Sequence, residues 1–253
     1  MPKTLVLQSH RQPLPAQWLQ ICIDSVRSWA SINNYDYKFI GDELFDYVSN
    51  DVLNKTKNQI VIATDLARLL ALKKYLKDGY EVVVWCDADF LIFLPAQFVL
   101  PDENYAVGRE VWVQSAHDNP KKLIAYIKVH NAFMMFKKGN PFLEFYIDTA
   151  ERLVLKNMGN MPPQYIGPKL LTAIHNVVQC PVLESAGMLS PLVIKDITNG
   201  GGEALDLFQR KSTQPIAAAN LCNSLYEDDA YSANSMEKCI QVLKADQIFN
   251  IRV

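Results

Sequence analysis

The chain has 253 residues, of which 49% are hydrophobic and 21% are charged. This composition is typical of a folded globular protein and excludes an intrinsically disordered chain. The 25 basic and 27 acidic residues give a net charge of −2, so the sequence has no excess of Lys and Arg to neutralise a nucleic-acid backbone.

Strands and helices are predicted to alternate in the N-terminal part of the chain. Residues 4–8 form a short apolar run, and residues 18–29 carry hydrophobic side chains at spacings of three and four, which is typical of a helix. Residues 37–40 predict a second strand that ends at Gly41. This alternation is typical of an α/β sheet.

The next segment predicts a helix followed by a buried strand. We expect the helix to begin at Thr64 and Asp65, because a threonine caps free backbone amides and an acid complements the positive helix terminus. Gly79 is a good residue for its end. Residues 81–86 are apolar and rich in β-branched side chains, which predicts a central parallel strand.

The remaining sequence predicts further elements and a glycine-rich loop. The predicted elements are strands at residues 105–107 and 131–136 and helices at residues 142–155, 168–175 and about 232–243. Residues 199–202, Asn-Gly-Gly-Gly, predict a flexible loop. Because no internal repeat or linker interrupts the sequence, we expect a single domain over residues 1–253.

Apolar runs in the sequence are short. The longest, residues 82–86 and 90–94, are separated by Asp87 and Asp89, whereas a membrane span needs about 20 apolar residues. Residues 1–7 have no small-residue cleavage site and are interpreted as a strand rather than a secretion signal. We therefore expect a cytoplasmic protein with no transmembrane segment.

The cysteines indicate neither a disulfide framework nor a zinc site, because they are odd in number, widely spaced and without a C-x-x-C pair. They are Cys22, Cys86, Cys180, Cys222 and Cys239. The sequence predicts that they are small buried apolar residues in a reducing compartment.

Two carboxylates, Asp87 and Asp89, directly follow the predicted central strand. A D-x-D pair is common by chance, so its position carries the argument. Ligands of open α/β sheets bind at the carboxyl ends of the strands, and two hard oxygen ligands there suit Mn²⁺ or Mg²⁺. The alternative is a strand that ends in a solvated turn.

Asp65 and Arg68 are expected to join this pair. They are three residues apart and share one helix face. A helix of about 14 residues is about 21 Å long, and a strand of about six residues that runs back beside it is about 20 Å long. Because the two lengths nearly match, the start of the helix, with Asp65 and Arg68, lies beside the end of the strand, with Asp87. The sequence therefore predicts a polar pocket; the alternative is a helix cap with a local ion pair.

These residues also resemble a known signature. Residues 63–75, followed by residues 84–89, resemble the S/T-D-x-x-R…D-x-D signature of GT-A glycosyltransferases of the family 32 and capsular-polysaccharide type, with its sugar-binding region containing a DxD motif. Other similar segments are residues 5–10 with Trp18 and Trp29, residues 131–136 with 139–142, and residues 166–172. The resemblance covers about two thirds of the chain.

The resemblance implies a GT-A, Rossmann-like nucleotide-diphospho-sugar transferase fold, α/β in class, with a mostly parallel central sheet and helices on both faces. It places the nucleotide-sugar half at about residues 1–110 and the acceptor side at about residues 111–253. The implied activity is transfer of a hexosyl group from a nucleotide-diphosphate sugar to a hydroxyl acceptor such as a saccharide, with retention of the anomeric configuration.

The resemblance also implies which residues act. Asp89, with Asp87, would hold the divalent metal that bridges the donor diphosphate, and Asp87 would also reach the ribose, the sugar or a metal-bound water. Asp65 and Arg68 would hold hydroxyls of the donor sugar. Asp65, Asp87 and Asp89 are thus the expected catalytic residues.

The outer parts of the implied site come from other segments. Ser9 and His10 would lie near the nucleotide base. Asn131 would line the donor sugar and, with Gly167 and Pro168, the acceptor side.

One ligand of the resembling group is missing. Many such enzymes supply a late histidine to the metal, whereas the last histidine here is His175. Asn220 or Asn223 would offer an amide oxygen instead, which predicts a weaker metal site than one with histidine.

General chemistry explains these residue types independently of the family resemblance. A metal held by carboxylates stabilises the negative charge that develops on a leaving diphosphate. The sugar passes through an oxocarbenium-like state, which a nearby carboxylate such as Asp65 favours electrostatically.

Two alternatives remain open. A haloacid-dehalogenase-type phosphatase would use Asp87 as its nucleophile, but that group places the motif on its first strand and has a small or hydroxyl residue where Leu91 stands here. A catalytically impaired nucleotide-sugar-binding protein is suggested by the missing histidine. Phosphate-binding loops and other hydrolase motifs are absent from the sequence.

Overall fold

The computed structural model describes residues 2–222 and 233–245. Its strands are β1 (Thr4–Ser9), β2 (Asp36–Ile40), β3 (Val82–Cys86), β4 (Phe90–Ile92), β5 (Tyr105–Ser115), β6 (Leu123–Lys137), β7 (Val182–Leu183), β8 (Ala186–Met188) and β9 (Ala218–Asn220). Its helices are α1 (Gln17–Ile32), α2 (Asn50–Thr56), α3 (Ile60–Lys77), α4 (Pro141–Lys156), α5 (Leu170–Val178), α6 (Pro191–Asn199), α7 (Glu203–Lys211) and α8 (Ala233–Lys244). Every helix in these ranges is too short or too polar to cross a membrane.

The main sheet is mostly parallel. Its strand order is β2-β1-β3-β6-β5-β7. Strands β2, β1 and β3 pair in parallel, β6 runs antiparallel to both β3 and β5, and β7 is parallel to β5. A smaller sheet has the order β4-β9-β8. The predicted α/β class is therefore confirmed, and β3 is central, with one parallel and one antiparallel neighbour.

Helices cover both faces of the main sheet because β3 is buried on both sides. Val83 and Trp85 pack with α3 and α4, whereas Val82 and Val84 pack with α1 around Trp29. Such two-sided burial explains the continuous apolar run of this strand. It also leaves the end of β3 as the place where polar side chains emerge from the core.

Helix α3 begins earlier than the sequence predicted. Its N-cap residue is Gln59, and the Thr64 hydroxyl donates to the Ile60 carbonyl inside the helix. The predicted cap at Thr64 is thus wrong. Ile62 and Ala63 are buried, so tertiary packing extends the helix by a turn, and the Gln59 side chain bonds the backbone of Met161 at its start.

Strands β5 and β6 are much longer than predicted and form a hairpin. Cross-strand pairing continues from Tyr105 opposite Phe136 to Ser115 opposite Leu123, with a register shift between Val107 and Gly108. The outer part was not predicted because the pairing of β5 with β6 depends on contacts across the two strands and not on a short local motif. This hairpin extends past the end of β3 and forms a wall above the sheet edge.

The other predicted elements agree closely with β1, α1, β2, α4 and α8; residue 232, the expected start of the last helix, lies outside the described residues. The glycine segment after Asn199 joins α6 to α7. There the Asp196 carboxylate accepts hydrogen bonds from the backbone of Ala204 and Leu205. This connection is therefore tied to α6 by Asp196.

Candidate active site

A cleft of about 620 Å³ opens at the carboxyl ends of β1 and β3. The residues of the predicted site that line it are Ser9, His10, Asp65, Arg68, Asp87, Asp89, Asn131, Pro168 and Asn220. Side chains from distant segments thus meet at one edge of the sheet, where strand ends expose them. The remaining predicted residue, Gly167, lies directly against Asp65.

Arg68 is the centre of this arrangement. Its guanidinium lies 3.4 Å from Asp65 Oδ1 and 3.0 Å from Asp87 Oδ1, and it donates to the Asn131 carbonyl at 3.2 Å. Burial by itself would lower the pKa of Arg68, but the charges of Asp87 and Asp65 outweigh it and raise the pKa. Arg68 is therefore a buried cation whose two carboxylate partners offset its lost hydration.

Asp65 is almost completely buried beside this cation. Burial raises the pKa of Asp65, while Arg68 and the Asn131 side chain oppose the shift. The Asn131 amide donates to Asp65 Oδ1 at 2.9 Å. Asp65, Arg68 and Asn131 thus form one connected polar network.

His130 fixes the strand beside Asn131. Its Nδ1 accepts from the Ala132 backbone at 3.2 Å, so its Nε2 carries the proton and donates to the Ala186 carbonyl at 3.1 Å. Burial lowers the pKa of His130 to about 4. The neutral ring links β6 to β8 close to the cleft, a role that no sequence pattern indicated.

Asp87 is held by four partners, two at its carboxylate and two at its backbone. Its Oδ1 accepts from Trp85 Nε1 at 2.7 Å in addition to the ion pair with Arg68. Its backbone N–H donates to the Ala132 carbonyl, and its carbonyl accepts from the Gln8 amide at 3.0 Å. The carboxylate is therefore fixed at the end of β3.

Asn220 holds Asp89 rather than offering an oxygen to a metal. Its Nδ2 donates to Asp89 Oδ1 at 2.6 Å, and its Oδ1 accepts from the Cys222 backbone N–H at 2.8 Å. The expected use of the Asn220 amide oxygen as a ligand does not fit this orientation, because that oxygen is turned toward the backbone. Asn223, the other residue considered, lies outside the described residues.

The cleft offers hard oxygen ligands without a preformed metal cage. Within residues 2–222 and 233–245, no group of three or more His, Cys, Asp or Glu side chains is arranged to hold a metal ion. Asp87 also pairs with Arg68, and Asp89 also accepts from Asn220, so both carboxylates are candidate ligands that are already held in place. This donor set fits a divalent cation that a bound phosphate also coordinates, since Mg²⁺-type sites often combine one or two carboxylates with substrate phosphates.

The segment around Gly167 closes the cleft beneath Asp65. A turn over Tyr165–Lys169, kinked at Gly167, stands where the sequence predicted the start of a helix, and α5 begins after it. A Cβ at Gly167 would lie 2.5 Å from Asp65 Oδ2. The Tyr146 hydroxyl donates to the Ile166 carbonyl at 2.9 Å, which secures this turn against α4.

The hairpin provides a wall of the cleft that the sequence did not predict. The hairpin residues that line the cleft are Glu110, Trp112, Gln114, Tyr126 and Lys128; we call this set the hairpin face. The sequence pattern that indicates this strand is the alternation of Glu-Val-Trp-Val-Gln at residues 110–114, which is typical of a half-buried strand.

Comparison with known proteins gives structural neighbours only. No model of a known protein family matches the sequence, and no curated protein does. A glycosyltransferase involved in the glycosylation of the major capsid of PBCV-1 is 14% identical, with a TM-score of 0.49, over 93% of this chain and 99% of that chain. The galactosyltransferase LgtC, solved with donor and acceptor sugar analogues, is 12% identical, with a TM-score of 0.45, over 94% and 95% of the two chains. The PaToxG glycosyltransferase is 12% identical, with a TM-score of 0.41, over 97% and 87%.

Proposed function

We propose that the chain is a GT-A glycosyltransferase that moves a sugar from a nucleotide-diphosphate donor to a hydroxyl acceptor with the help of Mn²⁺ or Mg²⁺. One observation carries this proposal: Asp65, Arg68, Asp87 and Asn131 form a single network at the cleft edge, with Asp89 two residues from Asp87. Donor-sugar hydroxyls would exchange hydrogen bonds with this network.

The network also has a role in the chemistry. Asp65 is held by Arg68 and Asn131 in a site with little water, where a carboxylate acts strongly on nearby charge. A positive charge developing on the donor sugar would be stabilised there. We propose retention of the anomeric configuration on the resemblance to the family 32 signature alone.

Asp89 would receive the metal. A divalent cation supplies a Lewis acid for the leaving diphosphate. Asn220 positions the Asp89 carboxylate, and Asp87, fixed by Arg68 and Trp85, would contact the ribose or a metal-bound water. Ser9 and His10, at and just after the end of β1, would lie near the base.

The arrangement of Asp87 argues against a phosphatase. A nucleophilic carboxylate needs an oxygen free to attack phosphorus, whereas Oδ1 of Asp87 accepts from Trp85 and pairs with Arg68, and Oδ2 accepts from Arg68 at 3.4 Å. The same cation withdraws electron density from the carboxylate. A second candidate is a nucleotide-sugar-binding protein with weak turnover. The orientation of Asn220 favours it, because the amide oxygen bonds the Cys222 backbone and so does not replace the missing histidine as a metal ligand.

Calorimetry with UDP-, GDP- and other nucleotide sugars, with and without Mn²⁺, tests the proposal. We expect at least one donor to bind, and to bind more tightly with Mn²⁺. Equal donor affinity with and without Mn²⁺ would contradict a role of the metal in binding the donor diphosphate. If no donor binds at all, the proposed function is wrong. Hydrolysis of the bound donor then separates an enzyme from a binding protein.

Asp89→Asn provides the matching variant. We expect it to lose the Mn²⁺-dependent part of donor affinity and donor hydrolysis, while its melting temperature changes little. Asp102→Asn is the control, because Asp102 is an exposed carboxylate paired with Lys137. Full turnover in Asp89→Asn would show that Asp89 is not the ligand.

A further inference from the structure

The hairpin face has an ordered pattern that the proposed chemistry does not use. Glu110 pairs across the strands with Lys128, and Trp112 pairs with Tyr126. Residues on the opposite side of β5, such as Val113, are buried in the core. The hairpin therefore turns one apolar side inward and presents an aromatic pair to the cleft.

Both aromatic rings of this pair are accessible. The Tyr126 side chain is 41% exposed, and Trp112 is half-buried. Trp112 Nε1 donates to Gln114 Oε1 at 3.1 Å, which fixes the indole and satisfies its only donor. The indole is thus held in place before a ligand arrives, so its ordering on binding costs little side-chain entropy.

The polar groups beside the rings are electrically balanced. Lys128 Nζ lies 3.9 Å from Glu110 Oε1 and 5.3 Å from the centre of the Tyr126 ring. Because the carboxylate compensates the ammonium, this wall does not favour a phosphate or another anion. Carboxylate, ammonium and amide together offer both donors and acceptors, which suits hydroxyl groups.

We propose that the hairpin face is an acceptor subsite in which a neutral sugar ring stacks on Trp112 and Tyr126 and hydrogen-bonds to Glu110, Gln114 and Lys128. The C–H groups of a pyranose are slightly positive and pack on the negative face of an aromatic ring. An aromatic surface with a few polar groups is the usual composition of a small-molecule site. The assignment of this ring to the acceptor rests on the proposed function.

The position of the face indicates an acceptor of more than one ring. Lys128 and Tyr126 precede Asn131 by three and five residues on β6, or about 10 and 17 Å along an extended strand. A ring on the aromatic pair therefore lies beyond the one that carries the reacting hydroxyl. The inferred acceptor is an oligosaccharide or a glycoside with an extended aglycone.

Sheet topology argues against the nucleotide base as the occupant. Strand β1, which leads to Ser9, lies on one side of β3, while β6 and β5 lie on the other. A donor with its diphosphate at Asp89 and its base near Ser9 therefore points away from the hairpin.

Tryptophan fluorescence provides a direct test with the whole chain. The sequence has four tryptophans, and the other three, Trp18, Trp29 and Trp85, are at most 3% exposed. Acrylamide should therefore quench mainly Trp112. We expect lactose, cellobiose or a maltose series at millimolar concentration to protect this residue without nucleotide or metal, whereas no protection by any of them would overturn the subsite.

Variants separate stacking from a general effect on the cleft. By saturation-transfer NMR, Trp112→Ala and Tyr126→Ala should each weaken saccharide affinity about fivefold, and Trp112→Phe should restore most of it. Phe145→Ala is the control, because Phe145 is an exposed aromatic residue on α4 outside the cleft. The Phe145→Ala variant should bind saccharide with the same affinity as the unsubstituted protein.

The same variants distinguish this inference from the proposed function. If Trp112→Ala loses affinity for the nucleotide itself as strongly as for saccharide, the hairpin face binds the base. The assignment of the hairpin face to the acceptor is then wrong. If saccharides protect Trp112 but no nucleotide sugar binds in calorimetry, the sugar subsite stands and the transferase proposal fails.

Discussion

Arg68 is the residue on which the charge balance of the site depends. It is buried between Asp65 and Asp87, and removing one partner of a buried ion pair leaves charges without compensation. We expect Arg68→Met to lower the free energy of unfolding by about 3–5 kcal/mol. Urea denaturation followed by circular dichroism measures this change.

The control for Arg68 lies on the surface of α4. Arg152 pairs with Asp148, and both side chains are more than 60% exposed. Arg152→Met should change stability by less than about 1 kcal/mol. If the two variants were equally stable, the buried network would not have the energetic role we assign to it.

His130 predicts an acid-sensitive stability. The unfolded chain binds a proton at this residue below about pH 6.5, whereas the native ring does so only near its pKa of about 4. Acid therefore favours the unfolded state between these values. The contribution of His130 should lower the free energy of unfolding by about 3 kcal/mol as the pH falls from about 6.5 to 4.

A variant isolates this contribution from other titrating groups. His130→Asn should be less stable at neutral pH, because it loses the bond to the Ala186 carbonyl. It should also lose the His130 part of the pH dependence, as measured by urea unfolding at several pH values. Parallel stability curves for the two proteins between pH 6.5 and 4 would contradict the assignment.

At the scale of elements, the kinked turn at Tyr165–Lys169 packs directly against Asp65 through Gly167. Gly167→Ala would place a methyl group 2.5 Å from the Asp65 carboxylate, so the turn or the carboxylate must move. We expect a loss of about 1–3 kcal/mol in stability together with weaker donor binding, measured by denaturation and calorimetry.

Gly41→Ala is the matched glycine substitution. Its added methyl group would meet only the exposed Glu43 side chain, whose carboxylate accepts hydrogen bonds from the Gly41 and Glu43 backbone. This variant should lose at most about 1 kcal/mol of stability and keep its donor affinity. Unchanged donor affinity in Gly167→Ala would show that the turn does not position Asp65 for binding.

Across the whole molecule, the cysteines provide a test of the fold. All five are free and buried, and burial raises their pKa values. Native protein should therefore react slowly with a thiol reagent, and five thiols should react after denaturation. Its unfolding midpoint should not depend on reductant; a shift would indicate a disulfide.

The sequence predicted which residues meet at the centre of the candidate site better than which residues line its edges. Asp65 and Arg68 share a helix face, and Asp87 follows a buried strand, so local geometry alone brought them to one level. Glu110 and Trp112 were missed because they face the cleft from a hairpin whose pairing is not encoded in any short motif. Elements with strong periodicity, such as α1 and α4, were predicted nearly to their ends.

The sequence by itself determined the α/β class, the buried central strand and the grouping of acidic residues at its end, because hydrophobic periodicity and residue spacing are local properties. Only the tertiary structure decided the earlier start of α3, the turn at Gly167, the orientation of Asn220 and the hairpin wall. These depend on contacts between residues far apart in the chain, such as Asn220 with Asp89. Their energies arise only when the packed core brings the partners together.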